Sequence, residues 1–338
     1  SGSGSVNHNL TILACTANAS CCGGSGYYND ADGNCYPNSG CTGNPSSNGT
    51  SVCKTINTNT HLNSNVSNLT GTCFTFGTSN IYLDCMGHKI TGAGDYIIDT
   101  NFQNNITLRN CNINVSANVN GNCVYMLSSS NSSVYNNYIT SAVGVSVFYG
   151  FASYNNFTNN TIINLGTGTV NGFYGGDDNN IIQNNFFNSS ANSGGNGVYF
   201  SSLAVNNLIY NNTFMIPGSG TGIYLFSGPS NNTIQENKIT TLGPSSSTGI
   251  ILNGDNNTLI DNEINNTAGF SNSYGINLQS SGNLLQNNNI TTAAGAKIYS
   301  WSLLNNTLLY NNSYGLINWT KDNLTTNIDL NAGSTIFL

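Results

Sequence analysis

Three Asn-rich phrases, NNLIYNNTF at 206–214, NNTIQENKI at 231–239 and NNTLIDNEI at 256–264, follow one another at intervals of 25 residues. Traced along the chain, the apolar residue closing each phrase falls at Ile90, Ile113, Ile139, Ile162, Phe187, Phe214, Ile239, Ile264, Ile290 and, less cleanly, Tyr314. The successive spacings are 23, 26, 23, 25, 27, 25, 25, 26 and 24. A period held this long constrains the fold more than any composition could. Each repeat is one unit that cannot bury its apolar side alone and must stack on its neighbours.

Within each period the apolar residues alternate or form short Ile-, Val-, Phe- and Tyr-rich clusters, with no sustained helical period, so the units are strands. A second strand signal follows each phrase: GVSVFY, GFYGG, GVYFSS, GIYLFS, GIILNG and GINLQS, opening on Gly at 144, 172, 197, 222, 249 and 275. Two or three short strands per period suit one rung of a parallel β-helix, with rungs roughly 4.8 Å apart. The Leu frame of leucine-rich repeats is absent, and propeller blades are longer.

The most regular residue is the Asn two places before the closing apolar position: Asn137, Asn160, Asn185, Asn212, Asn237, Asn262, Asn288 and Asn312. A rung must turn sharply between strands, and Asn tolerates the left-handed backbone conformation better than any residue but Gly. Stacked on its own copies, its amide can both donate and accept along the axis. The expectation is a structural Asn ladder at one corner.

NIYLDCMGHKITG at 80–92 followed by NNITLRNCNI at 104–113 sets an L-D-C-x-G-H-x-I segment before an N-C-x-I segment. In these residues and the repeat after them, the chain resembles the right-handed parallel β-helix repeat proteins of the NosD and pectate-lyase-like type, particularly secreted cell-surface proteins of archaea. The resemblance runs from residue 73 to about residue 320. It implies an all-β fold, a right-handed parallel β-helix (solenoid) of about ten rungs, one for each closing position. Lyases, hydrolases, adhesins and structural proteins share that fold, so it does not name a function.

Only 6% of residues are charged, against roughly 25% in an average globular protein. With 6 Lys+Arg against 13 Asp+Glu and no basic run, binding to a nucleic acid backbone or an anionic membrane is disfavoured. No apolar stretch is long enough to span a bilayer, and no signal sequence opens the chain, which therefore reads as a mature form. Sugars could supply the missing hydration. N-x-[ST] triplets mark 20 acceptors: Asn9, Asn18, Asn48, Asn65, Asn68, Asn105, Asn114, Asn131, Asn156, Asn159, Asn188, Asn211, Asn231, Asn256, Asn265, Asn289, Asn305, Asn311, Asn318 and Asn323.

The cysteines, Cys15, Cys21, Cys22, Cys35, Cys41, Cys53, Cys73, Cys85, Cys111 and Cys123, are even in number and confined to the first 123 residues. Paired C-x2-C units are missing, so disulfides in an oxidising, extracellular setting are expected rather than zinc. Two regions follow: a small Cys-rich, disulfide-rich N-terminal cap over 1–73, and the β-helix over 74–338. Cys85 and Cys111, in consecutive rungs, are a candidate bridge.

Candidates for chemistry are few. Glu236 and Asp261 are equivalent by the period, as are Lys238 and Glu263, and these four are the catalytic alternative to a plain surface charge cluster. Asp30, Asp32 and Asn34 alternate as calcium ligands do, but the downstream Glu is missing, so no cofactor is expected and Ca2+ is the alternative. Tyr174, Tyr199 and Tyr224, spaced 25 and 25, predict an outward column that stacks on sugars, packs against another subunit, or merely supports its own sheet. The chain fades into NAGSTIFL with no cap, leaving an open edge onto which a second copy could add.

These features predict a secreted, heavily N-glycosylated structural protein, not an enzyme, self-assembling head to tail into filaments or a surface layer. Its expected partners are its own copies, covalent N-glycans and other surface polysaccharides. The alternative is a polysaccharide lyase or hydrolase, or a carbohydrate-binding β-helix module.

Overall fold

The computed structural model describes residues 27–29, 35–37, 49–68, 71–93, 96–115, 122–142, 146–166, 171–190, 194–201, 204–243, 246–300, 307–310, 312, 316–321, 324–329 and 335–337. The chain divides into two compact units, Ser1–Gly49 and Thr50–Leu338. In the first, Tyr27–Asn29 and Cys35–Pro37 form an antiparallel pair with Tyr28 opposite Tyr36. The calcium candidates Asp30, Asp32 and Asn34 fall between these strands and lie outside the described residues.

The second unit is a solenoid of short parallel strands on three faces, with no helix among the described residues. One turn runs from Leu208–Tyr210 on the first face through Thr213–Ile216 on the second to Thr221–Leu225 on the third. It then returns to the first face at Thr233–Gln235, in register with Leu208–Tyr210. The second face stacks ten strands from Val66–Asn68 to Asn289–Thr292, about nine turns. The parallel ladder starts earlier than residue 74, because Lys54–Ile56 already pairs with Phe74–Phe76. At the other end Thr335–Phe337 pairs antiparallel with Leu308–Tyr310, and Leu324–Asp329 with Leu316–Lys321. The terminal strand thus pairs within the chain on one side, while Thr335–Phe337 and Leu324–Asp329 each stand last in their sheets and keep an outer edge unpaired among the described strands.

Alternation explains the core. Ile209, Phe214, Ile216, Ile223 and Leu225 of one turn are all fully buried, each side chain contributing roughly 1.5–3 kcal/mol of transfer free energy. Register stacks like on like: Phe187 on Phe214, then Ile239 and Ile264. The recurrent Gly has a steric cause. A Cβ on Gly222 would stand 2.5 Å from Ile239 Cγ2 and 2.7 Å from the Gly249 carbonyl oxygen. Only a residue without a side chain lets the second and third faces approach this closely.

The corner between the first and second faces holds the stacked carboxamides. Asn185 Nδ2 donates to Asn212 Oδ1 at 3.0 Å, Asn212 to Asn237 at 3.0 Å, Asn237 to Asn262 at 3.1 Å, and Asn262 to Asn288 at 2.8 Å. The column runs from Asn137 through Asn160 to Asn312. Each Oδ1 also accepts a backbone N–H, and each Nδ2 also reaches a carbonyl, as Asn212 does to Asn237 Oδ1 and Ile182 O. The left-handed conformation, however, belongs to the residue one place earlier: Asn136, Asn159, Asn184, Asn211, Glu236, Asp261 and Asn287 have φ of 51–56°. One residue makes the bend and the next fills it.

A second ladder, not anticipated from the sequence, lines the corner between the third and first faces. Asn155, Asn180, Asn207, Asn232, Asn257 and Asn283 pass bonds from turn to turn, with Asn207 Nδ2 3.0 Å from Asn232 Oδ1. Here too a left-handed residue precedes the ladder residue, as at Asn179, Asn206, Asn231 and Asn256. Its signal was the Asn-Asn pair that opens each phrase.

Among the described residues two disulfides join adjacent turns, Cys53–Cys73 and Cys85–Cys111. The second heads the first ladder, since the Cys111 N–H donates to Asn137 Oδ1 at 3.0 Å. Cys123 departs from the all-disulfide expectation. It is a buried free thiol whose pKa burial pushes up to about 12, and its register neighbours are Ile97 and Val147, which offer no sulfur. Cys15, Cys21, Cys22 and Cys41 lie outside the described residues, as does the side chain of Cys35.

Candidate functional site

Outward positions of the third face stack in register as the core does. Asp99, Tyr125, Tyr149, Tyr174, Tyr199 and Tyr224 form one column. Ring centroids are 5.4 Å apart for Tyr125 and Tyr149, and 5.2 Å for each step from Tyr149 to Tyr224. Tyr174 and Tyr199 are parallel to within 5°. Tyr96 stacks on Tyr125 at 4.3 Å. Phe151 packs edge-on against Tyr149 and Tyr174, and Phe226 lies beside Tyr199 and Tyr224. Eight rings therefore make a continuous platform, whose column from Tyr125 to Tyr224 spans five turns.

The sequence pointed to Tyr174, Tyr199 and Tyr224 by their distance from the recurrent Gly. Tyr125 and Tyr149 escaped that rule because Val147 holds the place Gly172 takes one turn later. Alignment on the buried residue before the ring, Val124, Phe148 and Phe173, would have found them.

Burial raises the phenol pKa of Tyr125, Tyr149 and Tyr224. Tyr199, beside Tyr174 and Tyr224 as well, is pushed up to about 12. These hydroxyls stay protonated at neutral pH, each able to donate and accept. Asp99, at the head of the column, has its carboxyl pushed up by burial, against the pull of an Asn101 N–H 2.8 Å from Oδ1. Asp177, beyond the Gly176 on which Phe151 rests, is raised by burial and by neighbouring Asp178.

Beyond Phe226, 41% exposed, the surface sinks into a shallow depression of about 570 Å³ lined by Ser227, Asn253, Asp255, Gln279 and Ser280 among others. The Asn253 N–H donates to the Leu225 carbonyl at 2.9 Å, which sets Asn253 beside Phe226 on the next turn.

The catalytic candidates lie elsewhere. Lys238 and Glu263 are register partners on the second face, Nζ 3.1 Å from Oε1, both well exposed. Glu236 and Asp261 are left-handed residues of the first corner. Gln235 Nε2 donates to Glu236 Oε1 at 2.8 Å, and Glu236 hydrogen-bonds the Tyr210 hydroxyl, raising that phenol's pKa. Arg109 is buried on the first face, its Nε 3.0 Å from Asp84 Oδ2, with the Tyr135 hydroxyl 2.8 Å from its terminal nitrogen. Among the described residues no three His, Cys, Asp or Glu cluster as metal ligands.

Of the sugar acceptors, Asn65, Asn105, Asn131, Asn159, Asn211, Asn231, Asn256 and Asn289 are exposed, and Asn114, Asn156, Asn188 and Asn265 are half-buried. Asn9, Asn18, Asn48, Asn305, Asn311 and Asn323 lie outside the described residues, as do the side chains of Asn68 and Asn318.

Residues 215–332 match the family described as right handed beta helix region. No curated protein sequence matches the chain. Among solved structures it is similar to DFA-IIIase from Arthrobacter chlorophenolicus A6 in complex with GF2, with a TM-score of 0.53 and 14% identity over 82% of this chain and 75% of that one. It is also similar to a mutant tailspike protein of E. coli bacteriophage HK620 in complex with pentasaccharide, with a TM-score of 0.51 and 11% identity over 78% of this chain and 54% of that one. At such identities the likeness is one of fold, and by fold the chain is a right-handed parallel β-helix repeat protein.

Proposed function

We propose that the chain is an extracellular carbohydrate-binding β-helix that lays an extended glycan along the third-face platform. The observation carrying this reading is the continuous run of rings from Tyr96 to Phe226, stacked from Tyr96 to Tyr199 and on to Phe226, with Tyr224 set edge-on to both. The rings face one another along the column, so a glycan laid over it meets their apolar edges and their phenol hydroxyls, which donate to and accept from sugar hydroxyls. Rungs roughly 4.8 Å apart repeat at close to the advance of one sugar along an extended chain. The two similar solenoids, solved with GF2 and with a pentasaccharide, support the reading through shared fold alone. Disulfides between turns suit an oxidising compartment, and N-glycans at exposed acceptors such as Asn231 and Asn256 would hydrate a surface poor in charge. End-to-end assembly, the other expectation, rests on the outer edges of Thr335–Phe337 and Leu324–Asp329, which pair with no further strand among the described residues.

The test is titration of neutral oligosaccharides of increasing length into the protein and its Tyr174→Ala variant. Affinity should rise with length up to about five units, one per turn of platform, and Tyr174→Ala should weaken it at least tenfold, about 1.4 kcal/mol. Equal affinity for both proteins would defeat the proposal. A second reading, glycoside cleavage, is favoured by one observation: Asp99, with its raised carboxyl pKa, heads the same column. It requires release of new reducing ends that Asp99→Asn abolishes.

A further inference from the structure

We infer that the depression beyond Phe226 is a terminal subsite that receives the end of a neutral glycan and selects it by hydrogen bonding. This inference rests on the platform reading and assigns it a substrate class. The aromatic column ends at Tyr224 and Phe226; in the next turn the position of Tyr224 is Ile251, and Asn253 stands beside Phe226. Stacking surface thus gives way to amide surface, with Gln279 lining the same depression.

The side-chain amides of Asn253 and Gln279 are half-buried and have no partner among the described residues. Each offers two N–H donors and a carbonyl acceptor, the complement of vicinal hydroxyls, which do both. Two other lining groups are held within the chain: Asp255 Oδ1 accepts the Ser281 N–H at 2.9 Å, and the Ser280 hydroxyl donates to the Gly254 carbonyl at 2.7 Å. The lining carries one carboxylate, Asp255, and no Lys or Arg. An anionic sugar would meet a like charge without a compensating cation, so uronic and sulfated glycans are excluded and neutral ones admitted. A pre-positioned set of polar groups at the end of an aromatic strip is how a shallow cleft gains specificity.

The experiment titrates hexasaccharides of glucose, xylose, mannose and N-acetylglucosamine, with a galacturonate hexasaccharide as anionic probe. The proteins are the wild type, Asn253→Ala/Gln279→Ala, and Tyr174→Ala. The thermal midpoint of Asn253→Ala/Gln279→Ala should equal the wild type's, since neither side chain has a partner among the described residues, whereas Tyr174→Ala should unfold cooperatively at a lower midpoint because it loses its stacking on Tyr149 and Tyr199. Expected results are binding of at least one neutral probe, no binding of the galacturonate, and roughly tenfold weaker binding by the double variant with narrowed differences between neutral probes. Wild-type affinity in the double variant beside weakened binding in Tyr174→Ala overturns the subsite and leaves the platform standing. Preference for galacturonate overturns the substrate class. Failure of every probe on the wild type overturns both proposals.

Discussion

The Asn212 carboxamide donates to Asn237 Oδ1 at 3.0 Å, and that oxygen also accepts the Asn212 backbone N–H at 3.0 Å. Asn237 in turn donates to Asn262 and to the Ile209 and Gln235 carbonyls. Asn237→Ala therefore orphans several buried groups at once, each costing about 1–3 kcal/mol. A loss of about 3 kcal/mol or more is expected from the urea midpoint. Lys238→Ala, removing an exposed ion pair one residue away, should cost less than about 1 kcal/mol.

That ladder was legible because each carboxamide must stack on its own copy, which forces one residue type to recur at the repeat period. The partner ladder from Asn155 to Asn283 obeys the same rule. It was missed because Asn231 and Asn232, like Asn256 and Asn257, read as a single polar run, and sequence does not reveal that the first of each pair bends while the second is buried. The platform was half legible. Tyr174, Tyr199 and Tyr224 kept step with Gly, whereas Tyr125 and Tyr149 lie in turns whose third-face strand is shorter. Nothing in the sequence said that the terminal strand turns back antiparallel, since an apolar strand reads the same in either direction.

Gly222→Ala tests the close approach of the second and third faces. The added methyl meets both Ile239 and the Gly249 carbonyl, so destabilisation of about 1–3 kcal/mol is expected. Ile239→Ala, which removes the Cγ2 methyl that the new side chain meets, should relieve part of it in a double-mutant cycle, leaving the backbone contact unrelieved.

Asp84 and Arg109 form a buried pair, 2% and 4% exposed. Asp84→Ala strands a buried guanidinium and should cost about 3–5 kcal/mol, whereas replacing both residues by apolar ones of similar volume should be nearly neutral. Chemical denaturation of the three proteins separates the outcomes.

Alkaline pH should loosen the platform. Tyr199 has its pKa raised to about 12 by burial beside Tyr174 and Tyr224, above the unfolded value near 10. The unfolded chain then releases the proton first, so the stabilisation is complete below pH ~10 and is lost as pH rises toward the folded value. Phenolate absorbance should show a late-titrating class that Tyr199→Phe diminishes, with a smaller fall in thermal midpoint between pH 9 and 11.

The most direct measurement is a crystal structure of the protein with the tightest-binding neutral oligosaccharide. Sugar rings lying over Tyr125, Tyr149, Tyr174 and Tyr199, one per turn, are the predicted result. Saccharide density seated on the first or second face, with those four rings bare, would contradict the account.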